Sequence, residues 1–113
     1  MNTNEILKTI CSSEQLACMN FENKPAFIRM AKIFENMPVT YEGTDIAYLH
    51  YFSGNCDWYI LEKDCLPYQL QAFGYVNLGW GYECGYISII ELIENNIQLD
   101  LFFTPQPIKK LIK

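Results

Sequence analysis

The sequence predicts an α+β fold in which helices flank a central antiparallel sheet of about four to five strands. Before Pro38 the apolar residues recur at helical spacing, and after it aromatic and β-branched residues form short runs separated by turn residues. The chain has 113 residues, of which 50% are apolar and 19% charged, so we expect one folded domain rather than a disordered chain. It divides into a helical part, residues 1–37, and a sheet-containing part, residues 46–108.

The helical part contains two apolar patterns. Residues 3–19 fit either one kinked helix or two short ones, because Ser12 and Gln15 stand at the spacing of a capping box in the middle of the segment. A second helix begins where Asn23 can cap it and Pro25 falls in the first turn, and it stops at Pro38. Its core face follows the i, i+3, i+4, i+7 spacing of Phe27, Met30, Ala31 and Phe34.

Strands are expected in the second part of the chain. The runs that favour strands are Ala47–Phe52, Asp57–Asp64, Gln69–Val76, Cys84–Ile87 and Leu99–Phe103. Ser88, with Glu91 three residues on, predicts a helix start before the last strand, and Pro107–Lys113 is expected to be a short helix or an extended tail. This order of elements defines the α+β class.

Charge and cysteine content restrict the classes of function. The net charge is −5, and residues 35–104 hold ten carboxylates against the single Lys63, so we expect no direct binding to nucleic acid. No apolar run reaches the roughly 20 residues of a membrane helix, and no signal peptide is visible, so a cytoplasmic protein is expected. Five cysteines without a Cys-x-x-Cys pair indicate reduced, buried thiols and no zinc site, and no cofactor is expected.

Aromatic residues supply the first candidate site. Residues 41–86 hold twelve of the seventeen aromatic residues. Trp80 lies between Gly79 and Gly81, which predict a sharply bent loop because glycine lets the backbone turn. A large aromatic on such a loop either fills its own core or anchors a partner. With Tyr82 and Glu83 beside it, Trp80 is our candidate for a partner-binding surface.

Carboxylates supply the second candidate site. Glu62 and Asp64 stand two apart on a predicted strand, and so face the same side about 7 Å apart. With Glu83 they could form a cation site or an acid–base pair, although carboxylates at strand ends more often accept hydrogen bonds at turns. His50 is expected to be a hydrogen-bonded structural residue, and we name no catalytic or metal-binding residue.

Four short motifs resemble a known family from residue 58 onward. They are Trp58-Tyr59-Ile60-Leu61-Glu62-Lys63-Asp64, Ala72-Phe73-Gly74-Tyr75-Val76, Glu83-Cys84-Gly85-Tyr86-Ile87-Ser88 with Glu91-Leu92, and Leu99-Asp100-Leu101 followed by Pro105. In this order they resemble the family called domain of unknown function 2958, over about residues 46–108. Proteins of that family are small, and bacterial plasmids, integrative elements and phages carry them. The resemblance implies an accessory role in a mobile element and brings no enzymatic activity with it. Glu62, Asp64 and Glu83 fall at positions of its motifs.

These observations leave three hypotheses of function. The first is a non-enzymatic accessory domain that binds a basic protein partner through Trp80, Tyr82, Glu83, Glu62 and Asp64. The second is a counter-defence inhibitor whose carboxylates mimic nucleic-acid charge, and the third is a small metal-dependent enzyme that uses those carboxylates with His50. A homodimer is compatible with each of them.

Overall fold

A computed structural model describes residues 2–64 and 71–112 of the chain, and the predicted α+β class is confirmed. The helices are α1 Thr3–Ile10, α2 Ser13–Ala17, α3 Lys24–Asn36 and α4 Ile89–Glu94, and a 3₁₀ turn covers Ile108–Lys110. The strands are β1 Ile46–Ala47, β2 Leu49–Ser53, β3 Cys56–Glu62, β4 Gln71–Asn77, β5 Tyr82–Ser88, β6 Gln98–Leu99 and β7 Gln106–Pro107. None of these helices is long and apolar enough to cross a lipid bilayer.

The N-terminal segment forms two short helices rather than one kinked helix. Asn2 caps α1 by accepting from the Glu5 N–H, and Ser12 caps α2 by accepting from the Gln15 N–H at 3.0 Å. Pro25 lies in the first turn of α3, as predicted. Asn23 precedes α3 but its side chain makes no capping hydrogen bond to it, because the Asn23 oxygen accepts from the Asn20 N–H instead.

Five strands form one antiparallel sheet in the spatial order β5-β4-β3-β2-β6, and β1 pairs separately with β7. The β2–β3 and β4–β5 connections are hairpins, so that neighbours along the chain are neighbours in the sheet. Between Ile60 and Glu62 the register of β3 against β4 shifts, as in a β-bulge. Of the predicted strand Gln69–Val76, the first two residues lie outside the described ranges.

The predicted last strand, Leu99–Phe103, is wrong in its length. Pairing with β2 stops at Leu99, and the chain turns because Asp100 accepts hydrogen bonds from the Phe102 N–H through its side chain and from the Phe103 N–H through its carbonyl. A short 3₁₀ turn then follows β7, within the stretch expected to hold a terminal helix or tail.

Apolar side chains form two clusters, one on each face of the sheet. The larger joins the helices to the sheet through residues such as Ile10, Phe27, Tyr51 and Ile60. The smaller contains Ala47, Tyr59, Leu61, Phe103 and Ile108, so the C-terminal segment covers part of the second face. Burial of apolar surface on both faces is what fixes the register of the central strands.

The four described cysteines are free, and Cys65 lies outside the described residues. The expectation that the cysteines are buried is confirmed for Cys11 alone. Cys18 and Cys84 are exposed and Cys56 is half-buried. Strand alternation explains the exposure of Cys84. This residue lies on the edge strand β5 opposite Tyr75, on the incompletely covered face of the sheet.

Candidate functional site

The loop between β4 and β5 holds Trp80 outside the core. Leu78 and Trp80 are 46% and 81% exposed, so Trp80 does not fill its own core. We call Leu78, Trp80, Tyr82 and Glu83 the hairpin tip. Large apolar side chains exposed together on a loop are a feature of protein-binding surfaces.

Backbone geometry fixes the shape of the hairpin tip. Gly79 and Gly81 have φ angles of +113° and +117°, which side-chain-bearing residues rarely adopt. The side-chain oxygen of Asn77 accepts hydrogen bonds from the Gly79 N–H at 2.8 Å and the Gly81 N–H at 3.3 Å. The loop is thus pre-shaped by its own sequence, and Trp80 lies at its end.

Tyr82 links the hairpin tip to the body of the protein. It is half-buried, and its ring lies 6.1 Å from the ring of Tyr59 between centroids. Burial, together with the neighbouring Tyr82, raises the pKa of Tyr59 to about 12. Glu83 pairs with Val76 across the strands and is exposed, so its carboxylate is the acidic group of the tip.

The structure does not bring Glu62 and Asp64 to the hairpin tip. Glu62 pairs with Phe73, four residues along β4 from Asn77, which places it about 13 Å away along the strand. Strand β3 ends at Glu62, so the expectation that Glu62 and Asp64 share one strand face is wrong. Asp64 follows the strand and accepts a hydrogen bond from the Gln71 N–H at 2.8 Å.

Glu62 is a buried structural acceptor, only 5% exposed. Its carboxylate accepts from the backbone N–H groups of Tyr41 at 3.2 Å, Gly43 at 2.6 Å and Thr44 at 2.9 Å. Charge-assisted bonds to three N–H groups hold the loop before β1 against the sheet. Mimicry of nucleic-acid charge by Glu62, Asp64 and Glu83 needs three exposed carboxylates, and Glu62 does not supply one.

His50 lies between two aspartates that sequence reasoning did not select. Its Nε2 is 2.7 Å from Asp57 Oδ1 and its Nδ1 is 3.1 Å from Asp100 Oδ2, while its ring stacks on Tyr59 at 4.7 Å. The expectation that His50 is hydrogen-bonded is confirmed. The pairing was hidden because His50 and Asp100 are fifty positions apart and meet only through the β2–β6 pairing.

These arrangements limit what the carboxylates can do. Within residues 2–64 and 71–112, no three His, Cys, Asp or Glu side chains are grouped so that they could hold a metal ion. Glu62, Asp64 and Glu83 each have different surroundings, and the two ring nitrogens of His50 face Asp57 and Asp100 instead.

Comparisons of the chain with protein-family models, with curated proteins and with solved structures found no match.

Proposed function

We propose that this chain is a small non-enzymatic protein-binding domain that docks through the hairpin tip. The observation that carries the proposal is the 81% exposure of Trp80 on a loop shaped by two glycines and Asn77. Tryptophan is among the residues that contribute most to binding when buried by a partner. A loop already in one conformation loses little entropy on docking, which favours affinity.

The partner we propose is a basic protein. The chain carries a net charge of −5, and Glu83 adds an exposed carboxylate three residues from Trp80. Opposite charge on a partner would speed the encounter and orient it, while the apolar tip would supply the affinity. Glu62 and Asp64 are not included in this surface, because their carboxylates accept backbone hydrogen bonds elsewhere.

We propose that the chain is an accessory protein of a bacterial mobile element or phage and acts in the cytoplasm of the host. This part of the proposal is supported by the resemblance of the motifs between residues 58 and 105 to domain of unknown function 2958. The partner would then be a host-defence or DNA-transfer protein.

The test is partner capture with a matched pair of variants. Immobilised wild-type chain, Trp80→Ala and Phe102→Ala are each incubated with lysate of the native host, and the recovered proteins are quantified. Phe102 is 83% exposed but lies outside the hairpin tip, so it controls for the loss of any exposed aromatic ring. We expect Trp80→Ala to lose about tenfold or more in affinity for the partner, and Phe102→Ala to bind as wild type does.

Equal recovery of the same proteins by all three chains would reject the hairpin tip as the docking surface. Both substitutions remove exposed side chains, so each variant should keep the thermal stability of the wild-type protein within about 0.5 kcal/mol. A thermal melt of each variant therefore separates loss of docking from loss of folding.

A further inference from the structure

An apolar groove of about 660 Å³ lies beside α3, away from the hairpin tip. Its apolar lining includes Ile28 and Ile33 from α3, Tyr48 between β1 and β2, and Pro105 from the C-terminal segment. Pockets for small organic ligands commonly have volumes between about 300 and 1,000 Å³ and mainly apolar walls. The groove has the size and the lining of such a site.

The charged groups of the groove are cationic, and its other polar side chains, Asn36 and Tyr48, are neutral. Arg29 and Lys32 both line it, and none of its lining residues is acidic. The ion pairs found between described residues join His50 to Asp57 and Asp100, so neither cation of the groove has a described carboxylate within ion-pair distance. In a chain of net charge −5, two uncompensated cations beside an apolar surface select for an anionic group on the ligand.

The wall opposite α3 is fixed by Arg29 itself. Its guanidinium donates to the carbonyl of Leu101 at 3.4 Å, to the carbonyl of Phe103 at 2.9 Å and to the hydroxyl of Thr104 at 3.2 Å. These bonds hold the segment that carries Pro105 against the helix. The ammonium of Lys32, one turn further along α3, has no hydrogen-bond or ion-pair partner among the described residues and is free to meet a ligand.

We propose that this groove binds a small amphipathic carboxylic acid, with its aliphatic body against Ile28, Ile33 and Tyr48 and its carboxylate at Lys32. The apolar lining provides the affinity, and the two cations select a carboxylate over a neutral or cationic head group. This inference is independent of the proposed function, because no groove residue belongs to the hairpin tip.

The test uses decanoate as the probe, kept below the concentration at which it forms micelles. Calorimetry gives its affinity for the full chain, and amide shifts of ¹⁵N-labelled protein locate the site. We expect saturable binding with one decanoate per chain and shifts centred on α3 and Tyr48. Decyltrimethylammonium, which has a tail of nearly the same length and a positive head group, should bind at least roughly tenfold more weakly.

Two charge reversals identify the carboxylate partner. Lys32→Glu should weaken the binding of decanoate roughly tenfold, because an attraction becomes a repulsion. Lys110→Glu makes the same charge change on the exposed 3₁₀ turn and should leave the affinity for decanoate unchanged. Absence of saturable binding, equal weakening by both variants, or shifts centred elsewhere would overturn the proposal. A dimer in sedimentation that Ile28→Asp dissociates would also overturn it, because a second copy would then occupy the groove.

Discussion

Single side chains in this protein often bind backbone groups far away in the chain. The Gln15 side chain donates to the Leu99 carbonyl at 2.8 Å and accepts from the Leu99 N–H at 3.0 Å. It thereby satisfies both backbone groups of a residue on the edge strand β6, which α2 would otherwise bury without partners. The spacing of Ser12 and Gln15 predicts a reciprocal cap, yet only the serine half forms, because the glutamine is used across 84 positions.

Glu62 shows the same behaviour with a charged side chain. Its three N–H donors are 18 to 21 residues earlier in the chain, in a loop where Tyr41 and Gly43 have positive φ angles. A carboxylate at a strand end has the same sequence pattern whether it faces solvent, a cation or a backbone loop. Only the fold of the loop decides between these roles.

The burial of Cys11 makes the stability of the protein fall at alkaline pH. Burial raises the pKa of its thiol from 9.0 to about 12, so between pH 9 and 12 the unfolded chain ionises this group and the folded chain does not. Its contribution to stability is complete below pH 9 and is lost as the pH rises through that range. We expect a fall of up to about 1.4 kcal/mol per pH unit from this group.

Urea denaturation between pH 8 and pH 10 checks this prediction. Cys11→Ala should flatten the fall of the unfolding free energy with pH. Cys18→Ala removes an exposed thiol, so the free energy of this variant should fall with the same slope as that of the wild-type protein. The same slope in wild type and Cys11→Ala would show that the thiol does not carry the effect. Comparing slopes rather than absolute stabilities separates the titration from any cavity left by the substitution.

At the scale of elements, β3 and β4 approach more closely than their sequences suggest. Gly74 pairs with Ile60 at the position where the register of β3 shifts, and a Cβ built there would lie 1.9 Å from the Tyr59 carbonyl oxygen. No side chain fits such a distance, so a glycine is required by the approach of the neighbouring backbone. The sequence marks the position only as a glycine inside a strand.

A pair of glycine substitutions tests that close approach. Gly74→Ala should destabilise the fold by about 3 kcal/mol or more, because the backbone of β3 must move to admit the methyl group. Gly85 is its cross-strand neighbour on β5, and a methyl group there would meet nothing within 4 Å beyond its own chain neighbours, so Gly85→Ala should change stability by less than about 0.5 kcal/mol. Denaturant unfolding of both variants measures the difference, and equal losses would refute the steric explanation.

At the scale of the whole molecule, the C-terminal segment joins the two faces of the sheet. Phe103 and Ile108 pack in the smaller apolar cluster. Arg29 lies on α3, whose core face belongs to the larger cluster, and its guanidinium donates hydrogen bonds to the carbonyls of Leu101 and Phe103. The Ile108 N–H also donates to the Asp45 carbonyl at 2.8 Å. The segment is therefore held by hydrogen bonds from two separate parts of the fold.

Removing the Arg29 side-chain bonds should loosen this segment. Arg29→Leu keeps an apolar stem but loses the donors, and we expect a loss of about 2 kcal/mol in stability together with faster amide exchange at Phe103. Lys32→Leu, one turn along the same helix, removes an exposed cation that bonds to no described residue and serves as the matched control. Hydrogen exchange that remains equally slow in Arg29→Leu would contradict the proposed role of the guanidinium.

Several elements were predictable from local sequence patterns: helix α3, the helix start at Ser88, most of the strand runs and the α+β class. These follow from caps, apolar periods and turn residues, each of which acts over about four residues. The core face of α3 was predicted in full, since Phe27, Met30, Ala31 and Phe34 are all buried. The glycines around Trp80 likewise indicated a bent loop, which the structure confirms.

Which chemical groups meet depends on the folded chain and not on local sequence. The fold separates Glu62 from the hairpin tip and pairs His50 with Asp57 and Asp100. It also forms the apolar groove beside α3 from that helix and the C-terminal segment. The contacts of Glu62 with Thr44, of His50 with Asp100 and of Arg29 with Leu101 join groups 18, 50 and 72 positions apart, so a residue's own neighbours carry no signal of them. Local preferences fix the elements, whereas the burial of two sheet faces fixes how those elements are placed against one another.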